Sequence, residues 1–449
     1  TSSARAALFD REGHLLARNE HPIRLWREGA DVAEHASEDI WRAVCAAVRD
    51  VVDAGGGEPE RVAAIGFDAT CSLVIRDKAG QPVTVSQSGD DARDTIVWLD
   101  HRAHREADAC TATGHAVLAH AGGAMSPEMQ IPKLMWLKKH LNQSWSRMAH
   151  AFDLADFLTW KSTGSIARSQ CTLTCKWTYR PHEREGWSAD FLAAVGLEGL
   201  IEKASLPAKA APVGSCIGTL GPQAALELGL TEACKVSAGL IDAYGGALGA
   251  LGAHTADASA VENHMALIAG TSSCVMTLSP KMRFIKGVWG PYLGVGMPGL
   301  WMNEGGQSAT GALLDHIIRV HSAGREPTVA MHASIIKRIG ELRSEEGEGL
   351  ARRLHVLPDF HGNRSPLADP RALGVVSGLA IDASFDGLSR LYWRTAVSIA
   401  LGVRHILDSL KENGQTVSML HVTGGHVRNP LLMELYADAT GCTVSEPDA

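Results

Sequence analysis

Residues 236–252 read VSAGLIDAYGGALGALG, and this stretch limits the possible folds more than any other. Val236 to Ile241 is a short apolar run of strand type ending on one carboxylate, Asp242. Gly245, Gly246, Gly249 and Gly252 follow among small apolar residues, a pattern suited to a helix packed close to other backbone. Glycine inside a helix costs about 1 kcal/mol relative to alanine, so four of them imply a gain from close approach. An acid at the carboxyl end of a buried strand points into the crevice where open α/β sheets bind ligands. Asp is also a favoured helix N-cap, so the same residue has a purely structural reading.

At 449 residues the chain exceeds one ordinary core and is expected to hold at least two domains. Apolar residues make up 45% and charged residues 20%, as in a soluble globular protein. The net charge of −8 comes without a basic stripe, which argues against nucleic acid or an anionic membrane as partner. No run approaches the roughly 20 apolar residues needed to cross a bilayer. No signal peptide is evident, and a cytoplasmic location is expected. The nine cysteines include no Cys-x-x-Cys pair, and buried thiols in a reducing compartment account for them. Among the histidines the one local cluster is Asp100-His101-Arg102-Ala103-His104, which fits either a metal site or a polar loop.

Along the chain, 4–9 and 14–20 read as strands joined by the turn Asp10–Gly13. Ser37-Glu38-Asp39 supplies a cap and acidic first turn for a helix with Ile40, Trp41, Val44, Val48, Val51 and Val52 on one face, ending at Gly55–Gly57. A strand over 62–68 ends on Asp68-Ala69-Thr70-Cys71, and the order suggests a mixed α/β sheet. Residues 86–190 are loop-rich and carry six tryptophans, while 252–263 reads as a small polar connection between halves. The second half opens with strand, hydroxyl-rich turn and strand over 266–279, and TSSCVMTLS lies over the opening TSSARAALF at an offset of 270, as in a duplicated domain. Such a turn would aim hydroxyls and N–H groups at a phosphate. A glycine-rich loop, 303–311, leads into a helix with Leu313, Leu314, Ile317 and Ile318 on one face. A long helix spans 385–412 and ends at Gly414. The strand 416–422 then runs into Gly424-Gly425, with Asn429 as cap and Pro430 at the first helical position. That Gly-Gly turn either serves packing or lets a nucleotide lie against backbone.

Ten blocks together resemble the FGGY family of carbohydrate kinases, closest to its ribulokinase-like members and particularly the D-ribulose kinases. They are GFDATCSLV (66–74), VWLDHRA (97–103), SPEMQIPKLMWLK (126–138), ARSQCTLTCKWTY (167–179), GLIDAYGG (239–246), AGTSSC (269–274), GVWGPY (287–292), LWMNEGGQSATG (300–311), PDFHGNRSPLADP (358–370) and TGGHVRNPLL (423–432). The resemblance runs from Thr1 to Ala449. It implies an α/β fold of two ribonuclease-H-like domains of the actin and sugar-kinase type, 1–253 for sugar and 254–449 for nucleotide, with the active site in a cleft between them.

By the same resemblance, Asp242 is the catalytic base and touches the sugar. Asp68, Ala69, Thr70, Trp98, Asp100, Lys176 and Glu304 fall on sugar-holding blocks; without the family context, Lys176 and Glu304 equally suit an ion pair. Thr1 and Ser2, and Gly270, Thr271 and Ser272, match the two phosphate turns. Gln307, Thr310 and Gly311 border the nucleotide, and Gly424, Gly425 and Asn429 match the adenosine turn. The implied cofactors are ATP and Mg2+, and the implied partners are a small sugar or polyol, with a homodimer left open. The family's magnesium-holding aspartate is expected upstream of Thr1 and a closing helix after Pro447, so no metal ligand is assigned in this chain. Tyr244 stands where close relatives usually carry histidine, which loosens the choice of sugar. The expected reaction is ATP-dependent phosphorylation of a pentulose or pentitol, D-ribulose first, then L-ribulose, ribitol, xylulose or glycerol. A non-catalytic actin-like ATPase or a sugar sensor stays open as an alternative.

Overall fold

The computed structural model describes residues 2–29 and 31–447. The chain divides into two compact units. The first reaches Gly245 and includes Tyr292–Gly299; the second comprises Gly246–Pro291 and continues from Leu300. This division falls inside the glycine-rich helix, ahead of the 253/254 boundary expected from the sequence.

In the first unit, strands Ser3–Phe9 and Leu15–Pro22 form an antiparallel hairpin. Asp10 Oδ1 accepts from the N–H groups of Glu12 and His14 and fixes the turn, and Gly13 adopts φ +90° there. Helix Ser37–Ala54 buries Ile40, Trp41, Val48, Val51 and Val52, as its periodicity predicts. Its cap differs from expectation. Ala36 occupies the N-cap position, and Ser37 Oγ instead donates to the buried Asp94 carboxylate at 2.6 Å. A five-stranded antiparallel sheet runs in the order Trp26–Glu28, Val32–His35, Thr95–Ile96, Leu73–Arg76, His150–Asp153. Val74, Phe152, Phe157 and Val236 share the core beside it.

Two expected strands are each broken in two. The 62–68 run becomes Ala64–Ile65 and Asp68–Ala69, and the 236–241 run becomes Lys235–Ser237 and Leu240–Ile241. The halves still pair in parallel, Val236 opposite Ile65 and Leu240 opposite Asp68. Gly239 sits at one break because a Cβ there would lie 3.0 Å from Ala155 Cβ.

Within a six-stranded sheet, the second unit contributes neighbouring strands in the order Trp301–Gln307, Ser273–Ser279, His264–Ala269, Met419–Thr423, Thr443–Ser445. Its hairpin strand Ser273–Ser279 matches Ser3–Phe9 end for end at the 270-residue offset. The expected loop over 303–311 is mostly strand. Gly306 stands where a Cβ would meet Ser273 O at 2.4 Å, so glycine there permits close strand pairing and does not mark a loop. Helix Phe385–Glu412 matches its expected span at both ends, with Ser384 Oγ accepting from Gly387 N–H at its start. No disulfide forms, and seven of the nine cysteines are buried. Among the described residues no helix is long and apolar enough to cross a membrane.

Candidate active site

Parallel pairing of Asp68–Ala69 with Leu240–Ile241 sets Asp68 opposite Leu240 and leaves Asp242 just past the carboxyl end of the neighbouring strand. Asp242 is the first residue of helix Asp242–Leu251 and is exposed; its Oδ1 accepts from Ala243 N–H at 2.8 Å. A helix N-terminus favours an anion in this place. Asp68 is exposed by surface area, yet protein surrounds most of its carboxyl. Burial first, and the Asp242 charge second, push its carboxyl up to about 6. Gly245 makes the approach possible, since a Cβ on it would lie 3.0 Å from Asp68 Oδ2. Gly246 is similarly close to Ile268, at 3.2 Å. Gly249 has nothing within 4 Å of such an atom, and Gly252, just past the helix, meets only Leu248, so close approach explains two of the four glycines.

Ser72 links the next two candidates. Its Oγ lies 3.0 Å from Thr70 Oγ1 and accepts from Trp98 N–H at 3.2 Å. Asp100 behaves otherwise. It is wholly buried, and its oxygens accept from Ala33 N–H, Arg102 N–H and the Arg102 guanidinium. The direct sugar contact expected of Asp100 is therefore revised: its lone pairs already hold the loop that presents Trp98. Its neighbours His101 and His104 meet edge-on, with His101 3.7 Å from Glu128, and form part of this loop.

Lys176, 3% exposed, ends helix Gln170–Lys176. Ser169 caps that helix by accepting from Cys171 N–H, and Asp156 accepts from Ser169 N–H at 2.7 Å and Thr172 Oγ1 at 2.6 Å. Burial raises Asp156 to about 6 against the pull of Arg168. Tyr244 is buried and hydrogen-bonds the thiol of Cys175, so it packs against the helix that carries Lys176. Beneath the Asp68–Cys71 segment, Gln130 donates to Cys71 O at 3.1 Å and to Asp153 at 2.9 Å. Burial, then the Asp156 charge, push Asp153 up to about 8. The sequence reading missed this supporting layer; only the presence of Gln130 in a quoted block hinted at it.

In the second unit, the hairpin turn Gly270-Thr271-Ser272 is tied to the start of helix Gly311–Val320. Thr310 and Ala312 N–H donate to Thr271 O at 3.0 and 3.1 Å, Gly311 N–H donates to Gly270 O at 3.0 Å, and Thr310 Oγ1 meets Ser273 Oγ at 2.8 Å. Thr271 is left exposed. A Cβ on Gly311 would strike Gly270 O at 2.5 Å. The two glycines of the other turn have different roles. Gly424, at φ +87°, has no room for a Cβ beside Ala269 O, whereas Gly425 faces open space. His426, unforeseen from sequence, joins the two turns: Nε2 lies 3.0 Å from Gly270 O and Nδ1 2.8 Å from Tyr436 Oη. Burial holds this ring down at about 4, so it stays neutral.

Other candidates are placed as follows. Asn429 caps helix Pro430–Thr440 and donates to Tyr392 Oη at 3.2 Å. Gln307 donates to Ile399 O of the long helix at 2.9 Å and its Oε1 is buried without a partner, so its expected place beside the nucleotide is revised to an inward one. Glu304 is buried in its strand opposite Met276, with the Cys274 thiol 3.9 Å away. Ser2 is exposed and its carbonyl accepts from Ile23 N–H; Thr1 lies outside the described residues.

Comparison with known proteins identifies the family. The N-terminal domain model of the FGGY family of carbohydrate kinases matches residues 1–249, and the C-terminal domain model matches 265–449. An FGGY carbohydrate kinase domain-containing protein of Homo sapiens is 43% identical, with 99% of this chain and 83% of the relative covered. A D-ribulokinase of Saccharomyces cerevisiae is 38% identical, with 100% and 68% covered. Xylulose kinase from Rhodospirillum rubrum superposes with a TM-score of 0.80 at 22% identity, covering 99% of this chain and 84% of that one. Glycerol kinase from Plasmodium falciparum gives 0.76 at 13%, covering 99% and 84%. The chain therefore belongs to the FGGY family of carbohydrate kinases and has its two-domain α/β fold and ATP-dependent kinase activity.

Proposed function

We propose that the chain transfers the γ-phosphoryl group of ATP to a hydroxyl of a pentulose or pentitol, D-ribulose first, with Asp242 as general base. The observation that carries this reading is the exposed Asp242 carboxylate at a strand end beside Asp68. The choice of D-ribulose rests on the relative named D-ribulokinase. As the sugar oxygen bonds the γ-phosphorus, the bond from that phosphorus to the β,γ-bridging oxygen breaks and ADP leaves. The hydroxyl proton passes to Asp242, a transfer that typically contributes about 10²- to 10⁴-fold. Asp68, Thr70, Trp98 and Lys176 are assigned to the sugar, and Asp100 acts by holding the Trp98 loop. Glu304 is kept as a sugar contact from the matching block.

The turn Gly270–Ser272, with Thr271 exposed, offers hydroxyls and main chain to phosphate, and Gly425 leaves open space where a nucleotide can lie against backbone, so both suit ATP. Thr310, Gly311 and His426 hold those turns in shape. Magnesium, when bound with ATP, spreads the phosphate charge; no residue of this chain is assigned to it.

The test is ADP release from ATP across a panel of pentuloses, pentitols and glycerol. D-ribulose should give the highest kcat/KM, and Asp242→Asn should lower kcat at least about 100-fold with ATP binding little changed. A different best sugar would overturn the substrate choice. Near-normal turnover by Asp242→Asn would remove Asp242 from the base role.

A further inference from the structure

Three histidines far apart in sequence meet in the second unit. His254 closes the short turn Gly252–His254, His264 opens strand His264–Ala269, and His421 lies within strand Met419–Thr423. The two strands pair in parallel with His264 opposite Met419, so His264 and His421 project from the same face. His264 Nδ1 and His421 Nε2 stand 2.8 Å apart, their rings within 7° of parallel. His254 stacks over both, with ring centroids 4.2 and 4.8 Å away. One nitrogen of each ring lies within 4.8 Å of the others. On the far side of His421, Nδ1 is 2.8 Å from Oγ of Ser445, the residue paired with it on the next strand.

We propose that His254, His264 and His421 form a binding site for a borderline divalent cation, zinc first, with a fourth position open to water or an external ligand. Three imidazoles are the donor set that zinc and its late first-row neighbours favour, whereas magnesium prefers oxygen, so this is not the metal of the phosphates. With its Nδ1–H donated to Ser445 Oγ, His421 would turn its Nε2 lone pair inward, the usual outer-shell arrangement for a metal-bound histidine. On ligation the His264 proton moves from Nδ1 to Nε2, the His264–His421 pair opens to roughly 3.3 Å, the nitrogen spacing of a tetrahedral zinc site, and His254 turns out of the stack. The bound ion would pin the Gly252–His254 turn to the sheet.

The test uses the full chain stripped with a chelator and titrated with cobalt(II), then zinc. One equivalent of cobalt should bind with tetrahedral visible bands and no thiolate charge-transfer band, and zinc should displace it and raise Tm. His254→Ala and His264→Gln should each weaken binding by more than about 100-fold, and Ser445→Ala by about 10- to 100-fold. His254 lies on a partly exposed turn, so the metal-free melt of His254→Ala should match the parent. Failure to bind cobalt, thiolate bands, or affinity unchanged by His254→Ala and His264→Gln together would overturn the site.

Discussion

Gly245→Ala sets two effects of opposite sign against each other. The substitution removes a glycine from a helix interior, which by propensity alone stabilises by about 1 kcal/mol. For domains of this size that corresponds to a Tm gain of about 2–4 °C. The new Cβ, however, would sit 3.0 Å from Asp68 Oδ2 and 3.5 Å from Asp68 Cβ. The first distance is inside ordinary contact, so the carboxylate must yield by a few tenths of an ångström. It can do so by rotating, because it is the end of a side chain. Most of the propensity gain should therefore survive, while the hydroxyl acceptor moves. A displacement of about 1 Å can cost 100-fold, so a few tenths should lower kcat/KM for the sugar by about three- to tenfold. KM for ATP should not change. Thermal melts and ADP-release kinetics with D-ribulose measure both sides. An unchanged kcat/KM would show that Asp68 needs no space beside Gly245. A loss of activity that only follows a loss of Tm would make Gly245 a requirement of the fold alone.

Three further outcomes are expected. Gly425→Val should raise KM for ATP with little change in Tm, because its Cβ enters open space, whereas Gly424→Ala should unfold the protein at lower temperature, because its Cβ would meet Ala269 O at 2.5 Å and φ is +87°; equal Tm losses in both would reduce the turn to packing. Asp68 titrates at about 6, above its usual value of 3.8, so its ionised form costs the fold stability: its contribution is full below about pH 4 and lost as pH rises through 6. Activity that needs the anion should rise over the same window, and Asp68→Asn should abolish that limb of the kcat/KM profile. His426→Phe should remove the side-chain link between the two turns, leaving Gly270 O only its Gly311 and Thr310 donors, and weaken ATP binding; nucleotide titration would show an unchanged Kd if that link is idle.

What could be read from the chain was local. Helix Phe385–Glu412 was legible end to end because its apolar stripe and the closing Gly414 just beyond it are local signals. The hairpin turn at Asp10–Gly13 was legible for the same reason. The breaks in the paired strands were not, since the break at Gly239 reflects contact with Ala155, far along the chain. Gly305-Gly306 was misread as loop because a glycine needed for close strand pairing looks, in sequence, like one needed for a turn. Asp242 and Gly245 stood out through their spacing. Asp153, Asp156 and His426 did not, because burial and distant partners give them their character. Asp100 was misjudged in the opposite sense, as nothing in VWLDHRA says that Arg102 folds back onto it.

The match at offset 270 fits a duplicated domain whose two copies take different substrates under the proposed function. Ser3–Phe9 and Ser273–Ser279 are equivalent hairpin strands, each opened by Thr-Ser-Ser in sequence. What differs is the chemistry gathered in each unit. The first places Asp68 and Asp242 close enough for each charge to be felt by the other. A polyol offers hydroxyl protons that the two carboxylates can accept. The second unit presents main chain at Gly270–Ser272 and Gly424-Gly425, with a neutral His426 behind it. Backbone N–H groups at such turns attract phosphate oxygens and offer a sugar no stereochemical discrimination. Under the proposed function, then, the assignment of sugar to the first unit and nucleotide to the second follows from electrostatics as well as from family likeness. Exchanging Asp68 for Asn should relax the choice among polyols while leaving the nucleotide preference intact.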